Sequence, residues 1–158
     1  MTDNNTHLDG IADYTAALDT LCKLATHRLY LFEKNYDGLG FNSETRYESL
    51  RYFLLDHRSS QLYILAHDTQ YLSTRCPRMM VLLRQFDSRM FIHQSIRPHS
   101  TTPFSVADNA HYVRRFHFDD PRGLLAKNDP ENARALESSY LEMWESSRPA
   151  VFVTRLGL

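Results

Sequence analysis

Only two cysteines and three lysines occur among the 158 residues. Cys22 and Cys76 lie far apart and form no Cys-x-x-Cys or Cys/His pattern, so neither a disulfide framework nor a structural zinc site organises the chain, and a reducing cytoplasm fits best. There is almost no net charge: 18 basic against 19 acidic side chains leave −1, which excludes an overall field holding the protein on nucleic acid or an anionic membrane. No apolar run approaches the roughly 20 residues that span a bilayer, and the opening MTDNNTHLDG is polar and acidic, so neither export nor membrane insertion has support. Repeats and low-complexity linkers are also missing. With 42% hydrophobic and 12% aromatic residues the chain can fill one core, and a single domain is expected.

What is present is a regular succession of short apolar runs and amphipathic stretches. Ile11, Tyr14, Ala17, Leu18 and Leu21 recur at helical spacing, giving a first helix over 10–25 with Asp9 or Asp13 near its start. RLYLFE (28–33) is a strand ending in the turn-like KNYDGLGF. Ser43 precedes a second helix reaching about His57, and QLYILAH (61–67) is a nearly continuous apolar run suited to a strand buried on both faces. After Asp68 comes a short irregular or helical piece. Pro77 then opens a helix carrying Met80, Leu82, Leu83 and Phe86, and RMFIHQS (89–95) returns as a strand. IRPHSTTP is loop.

FSVAD and HYVRRFHF read as a hairpin turning at Asn109 and Ala110. Alternation in its second strand puts His111, Val113, Arg115 and His117 on one face and Tyr112, Arg114, Phe116 and Phe118 on the other, with the more aromatic face expected to be buried. DDPRGLLAKND reads as a loop. Asn128 or Asp129 caps a final helix with Pro130 in its first turn and Ala133, Leu136, Tyr140, Met143 and Trp144 on its apolar face. Pro149 stops that helix, and VFVTRLGL reads as a last strand.

This order of elements resembles one half of the phospholipase D superfamily fold, and within it a poorly characterised bacterial subgroup classed as a domain of unknown function. The local match is the apolar strand ending in Asp108, the second strand and the helix ending LEMWESS. The resemblance implies an α/β fold: a mixed, largely central β-sheet flanked by helices on both faces. Residues 1–26 form an N-terminal helix, 27–147 the phospholipase D-like core and 148–158 a tail or edge strand. In active members the strand pair carries His-x-Lys-x4-Asp, the histidine acting as nucleophile and the lysine holding the phosphate. Asp108 matches the aspartate; the lysine position is then Pro103 and the histidine position Thr101. Proline offers neither charge nor donor, and threonine without a base is a poor nucleophile, so ordinary phospholipase D chemistry is not expected. Active members also need two such motifs, supplied by two halves of a chain or by a homodimer.

Two catalytic candidates remain, Asp108 itself and His99, which precedes the motif but has no lysine after it at the required place. His67 with Asp68 ends the second strand and His93 the third, where ligands of open α/β sheets tend to bind. Packing against a helix with a carbonyl partner is the simpler account of a lone histidine. His93/His99 and His111/His117 do not have helical ligand spacing, so no metal and no cofactor are assigned. Arginine is the biased component, 15 of the 18 basic residues, with eight between Arg75 and Arg122. If Arg97, Arg114 and Arg115 converge on the strand ends, they suit bidentate contact with phosphate; solvated or ion-paired surface arginines are the plainer account.

Two functions follow as expectations. One is a non-catalytic module that binds a phosphate-bearing ligand or a protein partner, with His67, Asp68, His93, Arg97 and Arg114 as the ligand-binding set and a homodimer as a further expectation; nucleic acid enters only through a local arginine patch. The other is a phosphoesterase or nuclease with a site rebuilt from Asp108, His67, His93 or His111.

Overall fold

The two most continuously apolar short runs lie side by side in the computed structural model, which describes residues 4–96, 102–117 and 120–151. β2 (Arg28–Glu33) pairs in parallel with β3 (Gln61–Ala66), and β4 (Met90–Gln94) pairs in parallel with β3. Helices cover both faces of these strands, which is why their sequences show little alternation. On the other flank of β2 runs β5 (Phe104–Ala107), antiparallel, followed by β6 (His111–His117), β7 (Asp120–Ala126) and β1 (Asn5–Leu8), each antiparallel to its neighbour. β8 (Arg148–Pro149) pairs antiparallel with the end of β4. The eight strands form one mixed sheet in the order β1-β7-β6-β5-β2-β3-β4-β8.

Helices α1 (Ile11–Leu24), α2 (Glu44–Asp56), α3 (Gln70–Arg75) and α4 (Pro77–Gln85) feed one core with Leu29, Leu31, Ile64 and Ile92 of the sheet. On the opposite face α5 (Pro130–Glu145) packs Ala133, Tyr140 and Met143 against Tyr30, Phe32, Leu65 and Val106. Strand alternation thus sends Leu29 and Leu31 to α1 and Tyr30 and Phe32 to α5.

Polar anchors fix the helix ends. The Ser43 hydroxyl accepts from the Arg46 N–H at 3.0 Å at the start of α2. At its other end Arg89 donates to the carbonyls of His57 (2.9 Å), Arg58 (3.0 Å) and Leu54, so carbonyls that a helix terminus leaves unpaired are satisfied by a cation. Arg46 itself is fully buried: its Nε donates to Asp19 at 2.7 Å and its guanidinium lies 4.5 Å from the Phe41 ring centroid.

Several expectations change. DDPRGLLAKND contains strand β7, hidden in the sequence by Pro121 at its start and by Gly123. That glycine marks a close approach, since a Cβ there would meet the Arg114 carbonyl oxygen at 2.1 Å. The polar Asn5–Leu8 is an edge strand on β7, held by backbone pairing. In β6 both faces are buried at Tyr112 and Val113, whereas Phe116 on the aromatic face is 43% exposed; Phe118 lies outside the described residues. The hairpin turns one residue earlier than expected, at Asp108 and Asn109 (φ 57° and 56°), with the Ala110 N–H donating to the Ala107 carbonyl at 3.0 Å. The short pairing segment Arg148–Pro149 precedes the expected last strand VFVTRLGL, of which 152–158 lie outside the described residues.

Candidate functional site

The register of the sheet brings three residues into one row at the carboxyl end of β2. Phe32 pairs with Phe104 and Phe104 with Arg114, so Glu33, Pro103 and Arg115 are the next neighbours across β2, β5 and β6, on the face turned to α1. The Arg115 N–H donates to the Pro103 carbonyl at 3.0 Å. Reaching over the proline, Arg115 Nη1 donates to Glu33 Oε1 at 3.2 Å, while its Nε approaches the Asp120 carbonyl at 3.5 Å. From α1 the Tyr14 hydroxyl donates to Glu33 Oε2, and the Arg115 guanidinium lies 5.1 Å from the Tyr14 ring centroid. Pro103, which the resemblance aligns with the motif's lysine, thus lies between Glu33 and Arg115 in this row, its carbonyl bonded to the arginine's backbone N–H.

Burial governs the electrostatics here. The Glu33 side chain is 1% exposed and that of Arg115 13%. Burial pushes the Glu33 carboxyl up to about 7; the Tyr14 hydrogen bond and Arg115 only partly offset it. Burial, then the Glu33 charge, hold the Tyr14 phenol well above its ordinary range, so it stays a neutral donor. One residue pair further into the sheet on the same face, the buried Ser105 hydroxyl has no hydrogen-bond partner among the described residues.

Asp108 sits at the other end of the sheet. Its Oδ1 accepts from the backbone N–H of His27 (2.7 Å) and Arg28 (2.9 Å), and its Oδ2 from the Thr26 N–H (2.8 Å) and hydroxyl (3.1 Å). The carboxylate clamps the hairpin turn to the start of β2. Four strand residues separate it from the Phe104 end, about 13 Å at the usual rise. His111 is at this far end too, its Nδ1 accepting from the Asn128 N–H at 3.1 Å. The set Asp108, His111, His67 and His93 therefore does not form one site.

His67, Asp68 and His93 do lie at the carboxyl ends of β3 and β4, on the α5 face for the two rings. His67 packs edge-on against Phe32, 5.5 Å between centroids. His93 stacks on Trp144 at 3.8 Å and its Nδ1 shares a hydrogen bond with the Ser147 hydroxyl at 2.8 Å; burial lowers its pKa and favours the neutral ring. The Asp68 carboxylate accepts from the Gln70 N–H at 2.8 Å, turning the chain into α3. Arg114 is exposed on the α5 face of β6, three strands from β3 and so about 14 Å from His67 at normal strand spacing. Arg97, His99 and Thr101 lie outside the described residues. No group of three or more His, Cys, Asp or Glu able to hold a metal occurs among the described residues.

A family model described as a domain of unknown function, DUF7931, matches residues 11–156. The chain belongs to DUF7931. No curated protein matches the DUF7931 chain. Among solved structures it is similar to TrmBL2, an archaeal chromatin protein with a novel mode of DNA binding (12% identity, TM-score 0.70), covering 94% of this chain and 54% of that one, so it spans about half of that protein. It is also similar to Nuc, a phospholipase D family member from Salmonella typhimurium (11% identity, TM-score 0.64, 92% and 97% covered), and to NucT from Helicobacter pylori (12% identity, TM-score 0.60, 92% and 98% covered). At these identities the likeness establishes the fold, and the fold is phospholipase D-like. No helix among the described residues of the DUF7931 chain is long and apolar enough to cross a membrane.

Glu33 and Tyr14 were not singled out by sequence reasoning. Glu33 looked like the polar end of RLYLFE, and Tyr14 like one member of an apolar helix stripe. The available signal was an acidic residue closing an otherwise apolar strand in an α/β sheet.

Proposed function

We propose that this DUF7931 chain is a non-catalytic phospholipase D-like module that binds a phosphate-bearing ligand at the carboxyl end of its central strands. The observation that carries the reading is the row Glu33–Pro103–Arg115: a cation from β6 stands beside the position that the resemblance aligns with the motif's lysine. A guanidinium binds phosphate without any covalent step. Arg114, one position back on β6, is exposed on the opposite, α5-turned face and so does not share the side of the sheet that holds Arg115. Asp108 is absorbed by backbone donors and supplies no chemistry to this end of the sheet.

The test is a thymidine dinucleotide, carrying one phosphodiester, assayed in parallel for binding by calorimetry and for hydrolysis. Binding without turnover is expected, weakened at least fivefold in Arg115→Lys, which keeps the charge but loses the planar fork, and unchanged in Arg114→Ala on the opposite face of the sheet. Hydrolysis that disappears in His67→Ala would instead establish a rebuilt esterase. Absence of binding at millimolar ligand would leave a protein partner as the better reading.

A further inference from the structure

Arg115 already has an anion. The Glu33 carboxylate meets its Nη1 at 3.2 Å and is held on its other oxygen by Tyr14, so it uses a donor that a phosphate-type anion would also use. The Arg115 side chain is 13% exposed, that of Glu33 1%. We propose that Glu33 is a built-in competitor for Arg115, and that a phosphate-type anion gains this guanidinium fully only when the carboxylate is neutralised by a proton. This rests on the phosphate-binding reading above and adds its regulation.

The surroundings of Glu33 leave it as the group that changes charge. From α1 it faces Tyr14, and from β6 Arg115; Tyr36, in the turn after β2, feels its charge but donates its own hydroxyl to the Leu65 carbonyl at 2.8 Å. Burial raises both tyrosines, which stay neutral. Arg46 from α2 acts on Tyr14, and the flanking strands contribute Pro103, Ser105 and Ala66, none of them ionisable. With the Glu33 carboxyl near 7, the protonated fraction falls from nearly all at pH 5.5 to about one part in thirty at pH 8.5, and an anion that needs the protonated form loses affinity in the same ratio.

Diethyl phosphate is the probe, because its single negative charge does not change over this range. Its affinity, followed by the Arg115 side-chain N–H resonance, is expected to fall up to about thirty-fold between pH 5.5 and 8.5 in the native protein. In Glu33→Gln it should be constant at the low-pH value. Tyr14→Phe removes a donor that favours the charged carboxylate, so the midpoint should move to higher pH, a readout independent of whether Glu33→Gln folds well. Binding that is insensitive to pH in the native protein, or still pH-dependent in Glu33→Gln, overturns the competitor role while leaving phosphate binding intact. Absence of binding in all three proteins at every pH overturns both.

Discussion

Replacing Asp108 should destabilise rather than disarm the protein. Its carboxylate accepts four hydrogen bonds, three of them from consecutive backbone N–H groups at the start of β2, and its own φ of 57° is left-handed. Bonds to a charged acceptor are worth about 1.5–3 kcal/mol each, but these donors are only partly buried, and water replaces part of the loss. About 2–3 kcal/mol is the expected net cost of removing the carboxylate. Alanine adds roughly 1–2 kcal/mol because its Cβ disfavours the left-handed region, which asparagine tolerates and glycine adopts freely. The expected order of destabilisation is Asp108→Ala above Asp108→Gly above Asp108→Asn, at about 4, 3 and 1 kcal/mol. Urea unfolding followed by circular dichroism reads all three at one pH. An alanine variant within about 0.5 kcal/mol of the native protein, or asparagine as damaging as alanine, would refute the clamp.

Glu33 should make stability fall with rising pH. Its folded value of about 7 exceeds the ordinary 4.5, so the folded state holds a proton that the unfolded chain has lost between these limits. The contribution is intact below pH 4.5, declines across the window, and above pH 7 has decreased by about 3 kcal/mol; Glu33→Gln should flatten this component of the chemical-denaturation profile. Asp19→Asn should destabilise by about 1–3 kcal/mol in the same assay, because it weakens the ion pair of an arginine with no exposed surface, while the 28% exposure of Asp19 lets water compensate in part. Gly123→Ala should cost about 3 kcal/mol or more, since the Cβ would overlap the Arg114 carbonyl at 2.1 Å; a melting temperature unchanged from the native protein would refute that close approach.

The sequence revealed the elements whose signal is local. Continuous apolar runs gave β2 and β3, Ser43 and Pro130 gave the starts of α2 and α5, and the left-handed tolerance of Asn109 gave the hairpin to within one residue. β7 and β1 were hidden because their stability is non-local: Pro121 and Gly123 depress strand propensity, and pairing with β6 restores it. The ligand-binding set was legible only as strand-end membership. His67, Asp68 and His93 sit at the carboxyl ends of β3 and β4, yet each has its own local partner. Glu33 and Arg115, 82 residues apart, meet only through the β2–β5–β6 register, which periodicity within a single strand does not specify.

On the proposed reading, that register also explains how a binding site persists after its catalytic residues change. A lysine on β5 and an arginine on β6 deliver positive charge to the same row, because strand neighbours stand about 4.8 Å apart and an arginine side chain reaches further than that. Moving the cation across one strand keeps the electrostatics while removing the spacing to a nucleophile on β5. It also creates a problem, since an arginine side chain only 13% exposed and facing a core needs an anion. Glu33 resolves it within the chain, at the cost of a carboxylate whose burial favours its neutral form. On the proposed reading the same imbalance is the binding energy available to a ligand: a phosphodiester, permanently charged and outside the core, is a better partner for Arg115 than a carboxylate that must give up its solvation to serve.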